Sequence, residues 1–484
     1  MGWDPIAILV VPFAVGVACW WAPVNLGKAL TLASGVLTFV LAVLLVPARI
    51  TTALSGWLRV DALSVVFLVA AAFLYAATAV FAIGYVHPSG DPSSAARYSR
   101  RFFAGLNLFA WAMAMATVVN GIALLWVAIE VTTVVSALLV AIDDTDGATE
   151  AAWKYVLIAS MGLGVALLAT VVMYYAGSTV FGNSYELFYP KLLSGAAHFP
   201  PEVVRLAFVL AVLGYGTKMG LVPVHTWLPD AHSEAPTPVS AMMSGALLAV
   251  SFYAILRFYQ VTAGAIGPAF PREVLLGFGV ASVGLAALYL ASQRDLKRLF
   301  AYSSVEHMGV LAIGMSFSAP IAVVGVLLHV LAHAAAKSTA FFGAGSVARR
   351  FGSTDVSLIR GGVGALPVSG PMLVLAVLGL SAMPPFGIFR SEFLIVSGAL
   401  TDPHEAVAAV LVVGVTLAML GLSWFTSRTM LSRTAESTPR GEPSAWIVAS
   451  MAIGLGALTI LGVHPPGQLS DLLTRAASEL GARR

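Results

Sequence analysis

The stretch LGYGTKMGLVPVHTWLPDAH, residues 213–232, decides how this chain folds. It continues an apolar run that begins near Val203, yet it contains Lys218, two prolines, two histidines and an aspartate. Proline removes an internal hydrogen bond of a helix, and the backbone groups that it frees need protein or water partners inside a membrane. The stretch therefore predicts a membrane helix that is broken, with a lysine held close to the break.

The composition indicates an integral membrane protein. Of 484 residues, 59% are hydrophobic and only 10% are charged, whereas soluble domains carry about 25% charged residues. Apolar runs long enough to cross the hydrocarbon layer, about 20 residues each, recur along nearly the whole chain. The net charge of +3 gives no argument for nucleic-acid binding. The single cysteine, Cys19, excludes a disulfide framework and an all-cysteine iron–sulfur cluster.

We predict an all-α polytopic membrane protein with about 14 transmembrane helices. The predicted spans are 6–22, 26–46, 60–86, 102–119, 121–142, 154–176, 203–228, 237–258, 274–292, 299–316, 320–343, 367–400, 406–426 and 444–463. The seventh and twelfth spans contain glycines and prolines and are predicted to be broken. Broken helices at corresponding positions of two halves are typical of transporters built from inverted repeats.

The two breaks lie five spans apart and predict the division of the chain. Residues 1–101 hold spans one to three, 102–258 and 259–426 form two inverted five-helix repeats, and 427–484 hold the last span and a short tail. Arginines and lysines concentrate in the loops after spans three, nine, eleven and thirteen. The positive-inside rule places these loops in the cytoplasm, so we expect a protein of the cell inner (plasma) membrane with both termini outside the cytoplasm.

Two charged residues are predicted near the middle of the membrane. Glu130 lies in the centre of the run 121–142, and Lys218 is the sixteenth residue of the seventh span. A charge at that depth costs about 2.5–3.5 kcal/mol unless it is paired or hydrated. The two residues are therefore candidates for a pair whose charge state switches during proton transfer, or for a static ion pair that holds helices together.

A short polar ladder is predicted in the eleventh span. In HVLAHAAAKSTAFF, residues 329–342, His329, His333 and Lys337 recur every four residues and share one helical face. Histidine titrates near neutral pH, which suits a proton relay. The His-x3-His spacing can also bind zinc, but no third ligand is evident, so no metal site is predicted. Hydrogen bonding between helices is the structural alternative.

Glu392 and Lys154 have two interpretations each. Glu392, in the second half of the broken twelfth span, is a candidate terminal acid of the relay or an interfacial residue paired with Arg390. Lys154 opens the sixth span and either extends to the membrane surface or faces inward toward Glu130.

Three further residues are possible accessory members of the pathway. His225 can line a water path, whereas Asp230 is more readily explained as a helix cap. His307 follows Glu306 at the predicted start of the tenth span, where a boundary pair and a proton entrance are equally compatible with the sequence.

The chain resembles the antiporter-like proton-translocating membrane subunits shared by respiratory complex I, membrane-bound hydrogenases and multisubunit cation/proton antiporters. The resemblance spans about residues 60–430 and rests on four stretches: KMGLVPVHTWLPDAHSEAPTPVSA (218–241), QRDLKRLFAYSSVEHMG (293–309), HVLAHAAAKSTAFF (329–342) and MPPFGIFRSEFL (383–394). Within this family the second and fourth stretches are most similar to the hydrogenase-4 component F type.

The resemblance implies fourteen helices, two inverted repeats and a hydrated axis of ionisable residues. The positions that match the family pattern are Glu130, Lys218, His329, His333, Lys337 and Glu392. One position departs from the pattern, because many relatives have a lysine or another polar residue in the eighth span where this chain has Ala249. Water has to bridge that gap, or conduction between the halves is weakened.

The function predicted from these residues is that of a proton-translocating subunit, without a cofactor of its own, in a hydrogenase-type or NADH-dehydrogenase-like complex. The expected partners are other membrane subunits, iron–sulfur and hydrogenase-type subunits, and the lipid bilayer, with no nucleic acid. A sodium/proton antiporter module without redox chemistry is the alternative, and Ala249 also allows a scaffold that has lost conduction. A free-standing enzyme is disfavoured because no nucleotide loop or nucleophile constellation is evident.

Overall fold

The computed structural model describes residues 4–87, 91–401, 405–434 and 438–482, and most of them are helical. In chain order the α-helices of these residues are α1 (Asp4–Cys19), α2 (Val24–Leu44), α3 (Ala62–Tyr85), α4 (Pro92–Val118), α5 (Ile122–Val140), α6 (Asp146–Phe181), α7 (Tyr189–Gly195), α8 (Pro201–Met219), α9 (Leu228–Glu234), α10 (Thr237–Met242), α11 (Leu248–Ile266), α12 (Ala269–Leu290), α13 (Leu296–Ser316), α14 (Pro320–Phe351), α15 (Gly362–Ala365), α16 (Ser369–Leu380), α17 (Gly387–Ala399), α18 (Glu405–Thr429), α19 (Ala445–Val463) and α20 (Gly467–Glu479). A π-helical turn, Met243–Leu247, joins α10 to α11. A small antiparallel hairpin, β1 (Thr51–Ala53) with β2 (Leu58–Val60), connects α2 to α3.

The polytopic helical fold agrees with the sequence. Among the described residues, ten helices are long and apolar enough to cross a membrane: Val24–Leu44, Ala62–Tyr85, Pro92–Val118, Ile122–Asp143, Asp146–Phe181, Thr237–Ile266, Ala269–Leu290, Pro320–Phe351, Ala406–Thr429 and Ala445–Val463. The sixth span is longer than predicted. It begins at Asp146 instead of 154, because Thr145 caps the helix by accepting a hydrogen bond from Ala148 N at 3.1 Å.

The first predicted break is observed after α8. Gly220 adopts φ = +86°, which ends the helix at Met219, and Leu221 N donates to Gly216 O at 2.8 Å. This is the Schellman arrangement, in which a glycine with positive φ satisfies the last carbonyls of a helix. The indole N–H of Trp227 donates to Thr217 O at 2.7 Å, so a further freed carbonyl has a protein partner.

The second predicted break is observed between α16 and α17. The helix ends at Leu380 and resumes at Gly387, with Pro384 and Pro385 between them. Met383 N donates to Leu378 O at 3.1 Å, which satisfies a carbonyl at the end of α16. The interruption therefore places α17 as a separate short helix against α14.

A C-terminal helix closes the hairpin side of the molecule, and the sequence had suggested only a short tail there. Glu479 of α20 accepts hydrogen bonds from Ala62 N at 3.1 Å and Leu63 N at 3.0 Å, the first amides of α3. Beside it, the buried Asp61 accepts a hydrogen bond from Arg257 of α11 at 2.6 Å. These contacts join the beginning of α3, the end of α11 and α20.

The helix α14 occupies the centre of the second half of the chain. It packs against α3, α13, α16, α17 and α19. The middle of α14 is buried on every face, including the segment from Gly325 to Val347. A polar side chain on this helix therefore meets other protein groups, not lipid. In the first half, α6 and α8 pack closely and bring Lys218 to an interior position.

Candidate functional site

Lys218 lies in the last turn of α8 and is fully buried. Its ammonium donates a hydrogen bond to Thr133 Oγ1 of α5 at 2.7 Å and a second one to the hydroxyl of Tyr155 of α6. The ammonium also lies 4.6 Å from the centre of the Tyr155 ring. Two helices, α5 and α6, therefore surround the lysine of α8 with two hydroxyl groups and an aromatic face, and the hydroxyl groups can accept or donate a proton through hydrogen bonds.

Glu130 lies on the same side of α5, one turn from Thr133. Its Oε1 accepts a hydrogen bond from Ser160 Oγ at 3.1 Å, whereas its Oε2 has no hydrogen-bond partner within the described part of the chain. The carboxylate and the Lys218 ammonium form no direct ion pair among the described residues. The two charges are thus brought to one region but are separated by the hydroxyl groups of α5 and α6.

Lys337 of α14 is a second fully buried cation. Its ammonium donates to Phe300 O and to Ser303 Oγ of α13, both at 2.8 Å. The side chain is fully buried near the middle of α14. As at Lys218, the direct partners are neutral oxygens, and no carboxylate in the described part of the chain forms an ion pair with this ammonium.

The histidines of α14 lie on one face, as their spacing predicts. The rings of His329 and His333 are stacked with centroids 6.3 Å apart, and both side chains are fully buried. His307 of α13 joins them, with its ring centroid 5.1 Å from that of His329 and 5.2 Å from that of His333. Three imidazoles from two helices thus form one cluster.

Two carboxylates complete this cluster. Glu392 of α17 is buried, and its Oε1 lies 4.0 Å from Nδ1 of His307. On the other side of the same ring, Glu306 Oε2 lies 4.0 Å from Nε2. Both His307 and Glu306 lie in the middle of α13, not at its start, and both are buried. Arg390 donates to Gly462 O at 3.2 Å instead of pairing with Glu392.

His232 of α9 lies against α14 and is a buried histidine that was not predicted to belong to the site. Its Nδ1 is 2.8 Å from Leu228 O, and its Nε2 has no hydrogen-bond partner in the described ranges. The ring is fully buried, with its centroid 6.0 Å from those of Trp227 and of Phe341 on α14. The signal for it was present, because it is the second histidine of the stretch 213–232.

A hydroxyl contact also crosses the region of the eighth span. Ser244, within the π-helical turn before α11, lies 2.7 Å from Ser304 of α13. Ser304 follows Ser303, a partner of Lys337. Ala249 itself is buried and apolar. Near Ala249 the polar groups of this span are the hydroxyls of Ser244 and Ser251, and Ser251 donates to Leu247 O of its own helix at 3.0 Å.

The accessory candidates separate into surface and interior positions. Asp230 forms ion pairs with Arg298 at 2.8 Å and with Lys154 at 3.4 Å, and Lys154 also pairs with Glu150 at 2.6 Å. Lys154 is half exposed, so it extends to the surface and does not face Glu130. Asp230 is the third residue of α9 and not its cap. His225 is buried in the loop before α9.

Buried lysines, histidines and carboxylates inside apolar helices, next to two helix breaks, are the arrangement found in proteins that move ions through membranes. Comparison with known proteins agrees with this class. Residues 120–421 match the family model described as NADH:quinone oxidoreductase/Mrp antiporter, TM, and the chain belongs to this family. The family expected from the four sequence stretches is thereby confirmed.

Two of the relatives show how far the similarity extends. The chain is 36% identical over 387 residues to a hydrogenase-4 component F homolog of Methylacidiphilum infernorum. The aligned residues cover 80% of this chain and 80% of the relative. Among solved structures, the fold is similar to a chain of the Mrp complex from Dietzia sp. DQ12-45-1b, with a TM-score of 0.86, 19% identity and coverage of 99% of this chain and 98% of that one. A chain of an archaeal membrane-bound sulfane sulfur reductase matches with a TM-score of 0.85, 22% identity and coverage of 99% and 97%.

Proposed function

We propose that this chain is a proton-translocating membrane subunit of a hydrogenase-type or NADH-dehydrogenase-like complex. One observation carries the proposal: Lys218 and Lys337 are fully buried, and each ammonium is held by hydroxyl or carbonyl oxygens, with no ion pair to a carboxylate of the described ranges. A static ion pair does not explain such lysines. A lysine that can lose its proton without leaving a carboxylate unpaired is suited to proton transfer.

The proposed pathway runs along the buried groups of both halves. It begins at Glu130, passes Lys218 and reaches Lys337 through the region of His232 and Ser244. It then continues through the histidine cluster to the terminal acid. The members of the pathway are Glu130, Lys218, His329, His333, Lys337 and Glu392, with His307 as an accessory member. Water molecules have to bridge the separated groups, because direct hydrogen bonds do not connect all of them.

The partners are proposed from the relatives. The relative from Methylacidiphilum infernorum is named a hydrogenase-4 component, and the structural neighbours are chains of multisubunit membrane complexes. We infer that this chain assembles with other membrane subunits and with iron–sulfur and hydrogenase-type subunits that perform the redox chemistry. Proton translocation is then coupled to electron transfer in those partners, and this chain needs no cofactor.

We further propose that the chain lies in the inner (plasma) membrane with fourteen spans, and that residues 102–258 and 259–426 form inverted repeats. Both termini then lie outside the cytoplasm. The breaks after α8 and α16 support the repeats, and the basic loops support the orientation. Single cysteines placed at Thr354 and at Gly267 give the test, since native Cys19 is buried. A membrane-impermeant thiol reagent is expected to label the cysteine at position 267 in whole cells. The cysteine at position 354 is expected to be labelled only in inverted vesicles.

The decisive experiment measures pumping and redox turnover in the same sample. The native complex, isolated through this chain and reconstituted in proteoliposomes, should lose proton pumping with Lys218→Ala or Glu130→Ala, while hydrogen or electron turnover by the partners is at least partly retained. Lys154→Ala is the matched control, because Lys154 is half exposed and pairs at the surface. Undiminished pumping in both test variants would refute the proposal.

A sodium/proton antiporter module is the second candidate, favoured by the similarity of fold to a chain of the Mrp complex. The same proteoliposomes separate the two functions. An imposed sodium gradient that drives proton movement, in a preparation without redox subunits, supports the antiporter. Pumping that requires an electron donor and is indifferent to sodium supports the first proposal.

A further inference from the structure

The histidine cluster of the second half has the composition of a metal site. Ligating atoms of His307, His329 and Glu392 all lie within 4.8 Å of one another, and all three side chains are buried. They come from three different helices, α13, α14 and α17. Two imidazoles and one carboxylate are a common ligand set for Zn²⁺, with the fourth position left to water or another ligand.

The hydrogen bonds of His329 fix which ring nitrogen is free. Ser391 Oγ donates its one hydrogen to Ile388 O at 2.8 Å, so it can only accept from Nδ1 of His329, which lies 2.9 Å away. The proton therefore resides on Nδ1, and Nε2 has a free lone pair. Histidines that bind metal ions are usually held in this way, with the second nitrogen donating to a neighbouring oxygen.

The ring of His307 lies between two carboxylates, although neither of its nitrogens has a hydrogen-bond partner among the described residues. Glu306 Oε2 is 4.0 Å from Nε2, and Glu392 Oε1 is 4.0 Å from Nδ1. If Nε2 carries the proton and points to Glu306, the lone pair of Nδ1 faces Glu392 and the free nitrogen of His329. The carboxylate of Glu306 then has the position of an outer partner that orients a ligating imidazole.

The inward-facing atoms lack other partners. Within the described residues, Nδ1 of His307, Nε2 of His329 and Oε1 of Glu392 have no hydrogen-bond partner, although all are buried. The ring centroid of His333 lies 5.2 Å from that of His307, and both nitrogens of His333 also lack a hydrogen-bond partner among these residues. Buried polar atoms are normally paired, and several unpaired acceptors around one point are what a cation satisfies.

We propose that His307, His329 and Glu392 bind one divalent transition-metal ion of the zinc class, with His333 or water in the fourth position. Bond lengths of about 2.0–2.2 Å require the three ligating atoms to move closer together than they lie here. His307 and Glu392 are both candidates from the sequence, but their meeting with His329 was not predicted, because α13 and α17 carry them at a distance from His329 along the chain. If the proposed proton pathway is correct, the bound ion also inhibits it, since it occupies the lone pairs that would carry protons.

The test measures binding directly and does not depend on proton flux. The full-length chain, purified in detergent with a tag that contains no histidine and stripped with a chelator, is titrated with Co²⁺. The expected result is one ion per chain with the visible absorption of a four-coordinate site, and displacement by Zn²⁺. His329→Gln and Glu392→Gln are each expected to weaken binding by at least about tenfold.

Two further variants keep the result interpretable. His329→Cys replaces one ligand by another and should retain binding with a new thiolate-to-cobalt absorption, which loss of folding could not produce. His225→Gln, a buried histidine outside the cluster, should bind as the wild type does. Absence of the visible bands in the wild type, equal affinity in the glutamine variants, or no thiolate band in His329→Cys would each overturn the proposal. Inhibition of flux by Zn²⁺ is measured afterwards and tests only the consequence.

Discussion

The ammonium of Lys218 lies 2.7 Å from the hydroxyl of Thr133, so the buried cation of the first half is bound to α5 through a neutral group and not through the glutamate of that helix. A hydroxyl can both accept from the ammonium and donate onward. The Thr133 hydroxyl itself donates to Ile129 O at 3.4 Å, so the contact joins Lys218 to the turn of α5 that precedes Glu130, without fixing the lysine in its charged form.

Thr133→Val is expected to lower proton translocation several-fold, because valine has nearly the shape of threonine but cannot accept from Lys218. Without the Thr133 hydroxyl, one N–H of the buried Lys218 ammonium loses its acceptor, which lowers the free energy of unfolding by about 1–3 kcal/mol. Proton flux and the thermal midpoint of unfolding are measured together. Thr132→Val is the matched control, since that hydroxyl donates to Ile129 O of its own helix at 2.6 Å. Equal flux in both variants would contradict the role of Thr133.

Ser244→Ala tests the connection between the halves. Its hydroxyl is 2.7 Å from that of Ser304, next to the partner of Lys337, in a span where Ala249 offers no polar group. We expect pumping to fall while stability changes by only about 1 kcal/mol. Ser251→Ala, which loses a bond within its own helix, is the control and should pump normally. If Ser244→Ala also pumps at the wild-type rate, the path between the halves does not use this contact.

Glu479→Ala is expected to destabilise the protein by about 1–2 kcal/mol without directly altering the pathway. The carboxylate accepts from two amides at the beginning of α3, and loss of a cap has a cost of this size. The readouts are the midpoint of thermal unfolding in detergent and the rate of proteolysis near α20. Ser478→Ala, which removes an exposed hydroxyl bonded within α20, should leave both unchanged.

Asp61 is expected to make the protein sensitive to acid. Burial alone would raise the pKa of its carboxyl group, but the charge and hydrogen bond of Arg257 outweigh it and lower the pKa below 3.8. An acid whose pKa is lower in the folded state contributes stability above its unfolded value, and that stability is lost as the pH falls through the folded value. Thermal midpoints recorded across the acid range should therefore decline more steeply in the wild type than in Asp61→Asn.

The Asp61→Asn variant should also be less stable at neutral pH by about 3–5 kcal/mol, because Arg257 is left as a buried charge without its carboxylate. Asp355→Asn is the control. The pKa of Asp355 is also lowered, first by its hydrogen bond from the Ser357 hydroxyl, but the group is fully exposed and does not pair with a buried charge. A pH profile that is identical in Asp61→Asn and the wild type would contradict the assignment.

Much of the fold was predictable because membrane helices have a strong local signal. The prolines and glycines of 213–232 predicted the break after α8, and the four-residue spacing predicted one face for His329 and His333. The tail helix α20 was missed because it is amphipathic and too short to be a span. Its role depends on contacts with α3, which are distant along the chain.

The sequence was sufficient to select the charged residues of the site, but it did not predict which residues they contact. Glu130, Lys218 and Lys337 stand out because charges are rare in such a sequence. Thr133 and Tyr155 do not, because hydroxyl residues are common in membrane helices and only the packing of α5, α6 and α8 selects these two. The convergence of His307 and Glu392 is likewise a property of three helices meeting, for which spacing along one helix gives no signal.

The indole of Trp227 has a consequence for how the lysine moves. It donates to Thr217 O at 2.7 Å, and its own side chain is fully buried. The residue before Lys218 is thus tied to the loop that follows α8, so the lysine backbone and this loop are joined at the helix end. A residue at 227 without an N–H donor would leave the Thr217 carbonyl without this partner, and we expect the backbone at Lys218 to become less fixed.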